Sequence, residues 1–545
     1  MTKIAHYLQE HLSGEVMSGT EARAYFATDG SILSIVPAII VYPRNENDIR
    51  KTARFTWQLA ERGRVVPITA RGSGTDQAGA ALGSGIIMVF PAHMHRILDF
   101  DGKTGAVTVE PGINYGKLQQ ALHIHHRFLP PYPASLEYST IGGAIGNNAA
   151  GEKSIKYGAT RDYVRSVRVV LANGEVIETK RLSKRELNRK LGLATFEGEI
   201  YRSLDVLIDE NQSTIQSMTR AVSKNSAGYA LDQIKRKDGS FDLAPLFVGC
   251  QGTLGIISEA VLETEAYNSQ TTLIAAYFDD LQVAEQVLLE LQKLPELPSA
   301  VEMVDENLLK LVHQQNPNLL KGVFDTSFPK LVLLIEFDSS RDRTQKRMAK
   351  RVEKTLAHYQ VSHQVETNEA KQEELWKIRQ AAALVAAWSD NGAKALPMIE
   401  DGVIPLEKFK EYVESVYLLF ERLGVEAAAW GHAGSGNLHI QPFLNLAQVG
   451  DRQKVFRLLE DYYDLVIRLG GSISGEHGDG RVRAPYLAKM YGPEVYGLFE
   501  KVKQIFDPYD TLNPGVKLGT TTEDIKPLLR ASYGIEHLLQ HLPRT

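Results

Sequence analysis

The chain has 545 residues, of which 43% are apolar and 23% charged, with a formal net charge of −5 and an isoelectric point near 6.3. That is ordinary globular composition, with enough chain for about two to four domains and no basic block that would point to nucleic acid. One cysteine, Cys250, excludes an internal disulfide and a cysteine-ligated iron–sulfur cluster. The opening "MTKIAHYLQEHLSGEV" is broken by charge and is not a secretory signal. No run approaches the ~18 apolar residues of a membrane span, so the reading is a cytoplasmic protein with no transmembrane segment.

From about 37 to 267, short β-rich runs alternate with glycine-rich turns. "AIIVYP", "RVVPITA", "GIIMVF", "AVTVEPG" and "SVRVVLANGEVIET" read as strands, and 46–63 and 115–126 as helices. After the boundary near "SEAVLETEAYNSQ" the pattern changes. Strands "TLIAAYFDD", "SAVEMVD", "KLVLLIEFD" and "HQVET" alternate with amphipathic helices at 281–294, 341–358 and 369–388. The expected fold is α+β in two large units, 37–267 and 268–520. The second has a βαββαβ-like, ferredoxin-like order and an antiparallel sheet backed by helices. Residues 1–36 read as an N-terminal extension and 521–545 as a surface tail of mixed charge.

Two glycine loops suggest a ligand. "RGSGT" at 71–75 follows a strand, where exposed backbone N–H groups can cradle a diphosphate. Gln77 takes the third glycine position of the dinucleotide fingerprint, so a Rossmann site is not indicated. "GNNAAGEKS" at 146–154 imitates a nucleotide-triphosphate loop, but Glu152 is inserted between Gly151 and Lys153 and would repel phosphates. Two dense loops in one β-rich unit favour an extended cofactor lying against backbone.

Three histidine-bearing stretches stand out. In "WGHAGSGNLHI", His432 and His439 are seven residues apart with glycines between them. An unbroken strand would point them to opposite faces, whereas a kinked loop could bring them together. In "SISGEHGDGRVR", Glu476 and His477 are adjacent, so an extended segment gives them different jobs. "HIHH" at 123–126 has no carboxylate or thiol near it in sequence and reads as structural.

The ordered series "ARGSGT", "VTVEPG", "STIGGAIGNNAAG", "KYGATRDYV", "VLANGEVI", "KNSAGYAL", "VGCQGTLGIISEAVLE", "SAVEMVD", "LWKIR", "EDGVIP", "GHAGSGNLHI", "GEHGDG" and "DPYDTLNPGVKL" resembles the FAD-linked 2-hydroxy-acid dehydrogenases, flavoproteins of the vanillyl-alcohol-oxidase (PCMH) type. That family includes D-lactate dehydrogenase, the glycolate oxidase flavin subunit and D-2-hydroxyglutarate dehydrogenase. The resemblance makes 37–267 a PCMH-type FAD-binding domain and 268–520 the substrate cap. It implies that Arg71, Gly72, Ser73, Gly74 and Thr75 hold the FAD diphosphate. Pro133, Ser135, Thr140, Gly142, Gly143, Asn147, Ala150 and Gly151 match a second cofactor-lining run, Ile257 the adenine–ribose side, and Asn513 the isoalloxazine. Asp76 departs from the family and should turn its charge away from the phosphates. Cys250 reads as a small buried residue. FAD is therefore expected to be non-covalent.

The resemblance also implies the chemistry. His477 matches the base and Glu476 a metal ligand. With His432 and His439, Glu476 makes a two-histidine, one-carboxylate set for a divalent metal, zinc first, with open positions for substrate. Arg379 matches the substrate-carboxylate arginine and Lys394 a second basic position. Ala383 stands where hydroxyglutarate-type members carry a hydroxyl, which argues against a hydroxyglutarate-like pocket. Ser435 replaces a usual aspartate, and Gln441 an asparagine.

The expected activity is FAD-dependent oxidation of a lactate-like D-2-hydroxy acid to the 2-oxo acid. Electrons would pass to a quinone, an electron-transfer flavoprotein, a cytochrome or oxygen. Peripheral membrane association and a homodimer stay open. Alternatives are an alkyl-dihydroxyacetonephosphate-synthase-like FAD enzyme and a non-catalytic flavin subunit of an oxidase complex.

Overall fold

The computed structural model of the chain describes residues 2–318, 320, 327–380, 382, 389–390 and 392–534. Ala383, and the end of the helix expected at 369–388, lie outside these residues.

Strands β1 (Glu15–Met17), β2 (Ile39–Tyr42), β3 (Ile68–Arg71) and β4 (Ile86–Val89) form a sheet in the order β1-β2-β4-β3. β2, β4 and β3 run parallel, and β1 joins the edge antiparallel. The first 36 residues are therefore not a loose extension. Ile4, Leu8 and Leu12 are buried in the core under this sheet. The next seven strands are β5 (Ile97–Phe100), β6 (Val107–Val109), β7 (Arg127–Phe128), β8 (Val164–Val170), β9 (Val176–Glu178), β10 (Ile256–Leu262) and β11 (Glu265–Ala266). They make a five-stranded antiparallel sheet, β5-β6-β10-β8-β9, and a β7/β11 ribbon.

The last strands are β12 (Thr272–Phe278), β13 (Ala300–Asp305), β14 (Leu331–Phe337), β15 (Ser362–Glu366), β16 (Ser389–Asp390), β17 (Ala393–Ala395), β18 (Gly402–Val403), β19 (Ala427–His432) and β20 (Asn437–Leu444). They form one sheet in the order β15-β12-β14-β13-β19-β20-β17-β16, with β18 also beside β20. The central strand β14, "LVLLIEF", is buried at every position, as expected of a strand covered on both faces. One face packs against the helices Leu281–Leu291, Asp342–His358 and Phe409–Leu423. The helices Glu306–Gln315 and Glu369–Gln380 cover part of the other. Among the described residues, no helix is long and apolar enough to cross a membrane.

The histidine question is settled by a hairpin. β19 and β20 pair antiparallel with His432 opposite Asn437 and Trp430 opposite His439. The chain reverses through the turn Ala433–Gly436, so paired residues share a face and both imidazoles emerge on the same side. Glu302 of β13 joins them, because the register Met303↔Gly431 puts it across from His432. Lys394 pairs with Leu444, an odd number of residues from His439 along β20, and so faces the other side of the sheet.

The segment read as a surface tail is partly core. Leu33 bridges to Leu529, Ser34 N–H donates to the Leu528 carbonyl, and Ile525, Leu529 and Tyr533 are buried. Lys526 and Arg530 fall between them and hide this apolar content in the sequence.

The turn between the histidines requires Gly436. Its φ is +65°, and a Cβ there would lie 2.2 Å from the Ile404 carbonyl oxygen. Gly436→Ala should destabilise the protein by at least about 2 kcal/mol from left-handed strain plus overlap, a fall of about 3 °C in Tm. A thermal scan showing no fall would contradict this account of the turn.

Candidate functional site

A cavity of about 920 Å³ runs between the glycine loops and the face of the large sheet. At one end it is bounded by the loop after β3 and by the helix Ile141–Asn147, which Thr140 caps by accepting from Gly143 N–H. Of the residues expected to hold a cofactor, Arg71, Gly72, Ser73, Gly74, Thr75, Pro133, Ser135, Thr140, Gly142, Gly143, Asn147 and Ile257 line it. Ala150, Gly151 and Asn513 are not among the lining residues. Gly151 lets the chain pass the Tyr132 carbonyl, which a Cβ would meet at 2.0 Å. Asn513 is a buried clamp: its amide donates to the carbonyls of Ala80 and Gln251, and its carbonyl accepts from the Thr69 hydroxyl.

Arg71 lines the cavity, but its guanidinium donates to the carbonyls of Phe26, Thr28 and Ala81. It braces the glycine loop from behind. The Asp76 carboxylate turns into its own loop, accepting from Ala78 N–H, Ala80 N–H and the Asn147 amide. Among the described residues, Ser73 Oγ, Gln77 Oε1, Ser139 Oγ and Gln441 Oε1 line the cavity and are buried without a protein partner. Buried polar atoms are rarely left unpaired, so these fit a polar ligand of the size of FAD. Cys250 is buried at the cavity wall, and burial pushes its thiol pKa up, leaving a poor nucleophile.

At the other end three ligand atoms converge. His432 Nε2 lies 3.2 Å and His439 Nε2 3.3 Å from Glu476 Oε1, and the two nitrogens are 3.3 Å apart. Each histidine is oriented from behind. His432 Nδ1 donates to Glu302 at 2.7 Å and His439 Nδ1 to Glu400 at 3.1 Å. This leaves both Nε2 atoms as the inward-facing donors. Lys224 Nζ donates to Glu476 Oε2 at 2.5 Å, so Oε1 is the oxygen turned to the histidines. The donor set suits a divalent cation. Among the described residues, the groups of three that could hold a metal all fall in this cluster. The "HIHH" stretch makes no such group: His123 stacks on Tyr267 and His125 on Phe100.

His477 sits alongside. Its Nδ1 donates to Glu400 Oε1 at 2.7 Å, and its ring stacks on His439 with centroids 5.3 Å apart. Arg483 holds the same Glu400 oxygen at 2.7 Å. Asp401 accepts from the backbone N–H of both Glu476 and His477, which fixes the adjacent side chains in different directions. Arg379 lines the cavity, with its Nε 2.7 Å from Glu302 Oε2. Lys394 is not among the lining residues, because its strand pairing turns it to the opposite face.

The charges are interlocked. Burial alone would raise Glu302, but His432 and Arg379 bring it down to about 2. Burial is likewise overcome at Glu476, which Lys224 and His432 hold well below the usual carboxylate range. Burial disfavours charge on His432, His439 and His477, yet the carboxylates around them raise all three. The cluster thus favours positive charge at its centre, supplied by protons or by a cation.

Glu302, Glu400 and Lys224 have no individual role in the sequence expectation, although they lie in the motifs "SAVEMVD", "EDGVIP" and "KNSAGYAL". The available signal was a lone charge inside an otherwise apolar strand, as at Glu302 between Val301 and Met303. Gln251 is a further residue that the structure adds: its side chain joins Asn147, the His477 carbonyl and Gly480 N–H.

With this geometry in place, the comparisons are direct. Residues 37–180 match the family described as FAD binding domain, and residues 268–516 the family of FAD linked oxidases, C-terminal domain. The fold is that of a PCMH-type flavoprotein: p-cresol methylhydroxylase with substrate bound superposes with a TM-score of 0.68 at 14% identity, covering 96% of this chain and 97% of that one. The chain thus carries both the FAD-binding domain and the C-terminal domain of FAD-linked oxidases. D-2-hydroxyglutarate dehydrogenase of Escherichia coli (strain K12) is 29% identical over 93% of this chain, which spans only 50% of that protein's length. D-lactate dehydrogenase of Anaerostipes hadrus is 29% identical over 83% of this chain and 84% of its own length.

Folding keeps Glu302 ionised down to about pH 2, whereas its ordinary value is 4.5. Its contribution to stability is therefore complete above the ordinary value and is lost as pH falls through the folded one. Glu302→Gln should flatten the acid limb of a Tm–pH profile between these values and lower Tm at neutral pH, where Arg379 would lose its carboxylate. An acid limb of unchanged slope would assign the linked proton to another group.

Proposed function

We propose that this chain oxidises a D-2-hydroxy acid, lactate-like, to the 2-oxo acid, with non-covalently bound FAD and a divalent metal. The observation that carries this reading is the convergence of His432, His439 and Glu476, with His477 beside them, on a cavity whose other end is a glycine-rich cradle. Bound FAD would supply the hydride acceptor and a divalent cation, zinc in our reading, the Lewis acidity that lowers an alcohol's pKa. Gly72, Ser73, Gly74 and Thr75, with the run from Pro133 to Asn147, would hold the flavin, and His432, His439 and Glu476 the metal.

The protein's own groups do the rest. Arg379, aimed by Glu302, neutralises the substrate carboxylate. His477 is the base: Glu400 occupies its Nδ1, so Nε2 is the atom left to take the hydroxyl proton. Glu400 and Asp401 then stabilise the imidazolium that forms. Loss of that proton and of the Cα hydride leaves the 2-oxo acid. The two electrons pass to a further acceptor, for which a quinone, an electron-transfer flavoprotein or a cytochrome is proposed. Lys394 has no role in this reading. The relatives named for D-lactate and D-2-hydroxyglutarate support the substrate class.

Anaerobic addition of a panel of D-2-hydroxy acids to the FAD-loaded protein should bleach the flavin with at least one of them, and bleaching by none would sink the reading. His477→Ala should slow flavin reduction by at least about a hundredfold while FAD content is kept; loss of FAD instead would count against its role as base. His432→Ala should lower the metal-to-protein ratio in elemental analysis, and an unchanged ratio would remove it from the ligand set.

A further inference from the structure

The "GEKS" stretch, which imitates a nucleotide loop, has had no role so far, yet it forms a wall of the cavity. Ser154 Oγ lies 2.9 Å from Ser435 Oγ in the turn between the two histidines. Lys153 bonds to Glu336 on β14. Between Gly151 and Lys153, Glu152 lines the same cavity as Arg379 and His432, and its Oε1 accepts from the Tyr132 hydroxyl at 2.7 Å.

Three neighbouring carboxylates on this wall each have a cation. Glu336 has Lys153, Asp338 has Lys156 at 2.6 Å, and Glu302 has Arg379 at 2.7 Å. Among the described residues, Glu152 has the Tyr132 hydroxyl and no cation at salt-bridge distance. The neighbouring Lys153 offsets part of its charge, and Glu302 and Glu336 lie close enough to add repulsion. Glu369 and Glu373 line the cavity as well. Lys153, the basic residue of this wall, is engaged by Glu336, and Lys394 faces the other side of the sheet.

We propose that Glu152 sets the substrate class: the site takes 2-hydroxy acids with a single carboxylate and rejects 2-hydroxy diacids. The first carboxylate is met by Arg379. A second one, extending along this wall, meets Glu152, whereas a methyl, hydroxyl or ammonium group there is accepted. Like charges brought together in a desolvated site discriminate strongly. The inference rests on the 2-hydroxy-acid reading above and narrows it.

The test compares flavin reduction by D-lactate and by D-2-hydroxyglutarate in the FAD-loaded protein under anaerobic conditions, at about pH 8, because burial raises the Glu152 pKa and alkaline pH favours its charged form. The parent protein should favour D-lactate by at least about tenfold in reduction rate over dissociation constant. Glu152→Gln, isosteric and uncharged, should raise the diacid value by about tenfold and move the lactate value by less than about threefold. A parent that prefers the diacid, or a Glu152→Gln variant with an unchanged ratio, overturns the proposal. Bleaching by neither acid nor by any other 2-hydroxy acid overturns the underlying reading and this inference with it, an outcome distinct from an altered preference.

Discussion

Two imidazole nitrogens and a carboxylate oxygen held about 3.3 Å from one another are the constraint around which the rest is arranged. Bringing such groups together inside a protein costs desolvation free energy unless each is oriented and its charge balanced. Glu302 and Glu400 supply orientation by occupying the Nδ1 positions. Lys224 and Arg379 balance the carboxylates, and Arg483 shares Glu400. Each of these groups is buried or nearly so. Loss of one would leave a neighbour unpaired.

The same requirement ties the two halves of the chain together. Lys224 and Ser226, from the flavin-binding half, reach Glu476 and the Gly475 carbonyl. Lys153 and Lys156 reach Glu336 and Asp338 on β14 and just beyond it. Polar contacts of this kind hold position more sharply than apolar contact, because both distance and direction are specified. They set the sheet face carrying the histidines against the glycine cradle, on either side of one cavity. A Gly436 backbone in the left-handed region and an Asn513 clamp between distant loops serve the same placement.

Much of the fold was legible from period and punctuation. Strands β12 to β15 and the helices Leu281–Leu291 and Asp342–His358 fall within a few residues of the sequence expectation, because β-rich apolar runs and amphipathic periods are local signals, whereas β16 to β20 carry no such expectation. The ends of the chain were misjudged for the converse reason. The N-terminal helix and the Ile525–Tyr533 segment are held by partners hundreds of residues away or by apolar residues masked by intervening charge. Of the candidate site, His432, His439, Glu476, His477 and Arg379 came together, whereas Lys394 did not. Their residue types could be read, but the face on which a strand residue emerges depends on its neighbour's register.

The sequence by itself determined the class of element along most of the chain and which segments carry reactive side chains, since these follow from local composition and spacing. It also excluded disulfides and cysteine-ligated clusters outright. What only the tertiary structure decided is aim. Hairpin pairing turns two histidines, seven residues apart, to one face, and β-register puts Glu302 behind one of them. Strand parity turns Lys394 away, and chain packing leaves Glu152 in the cavity with no cation at salt-bridge distance among the described residues. These are relations between residues distant in sequence, set by which surfaces bury together.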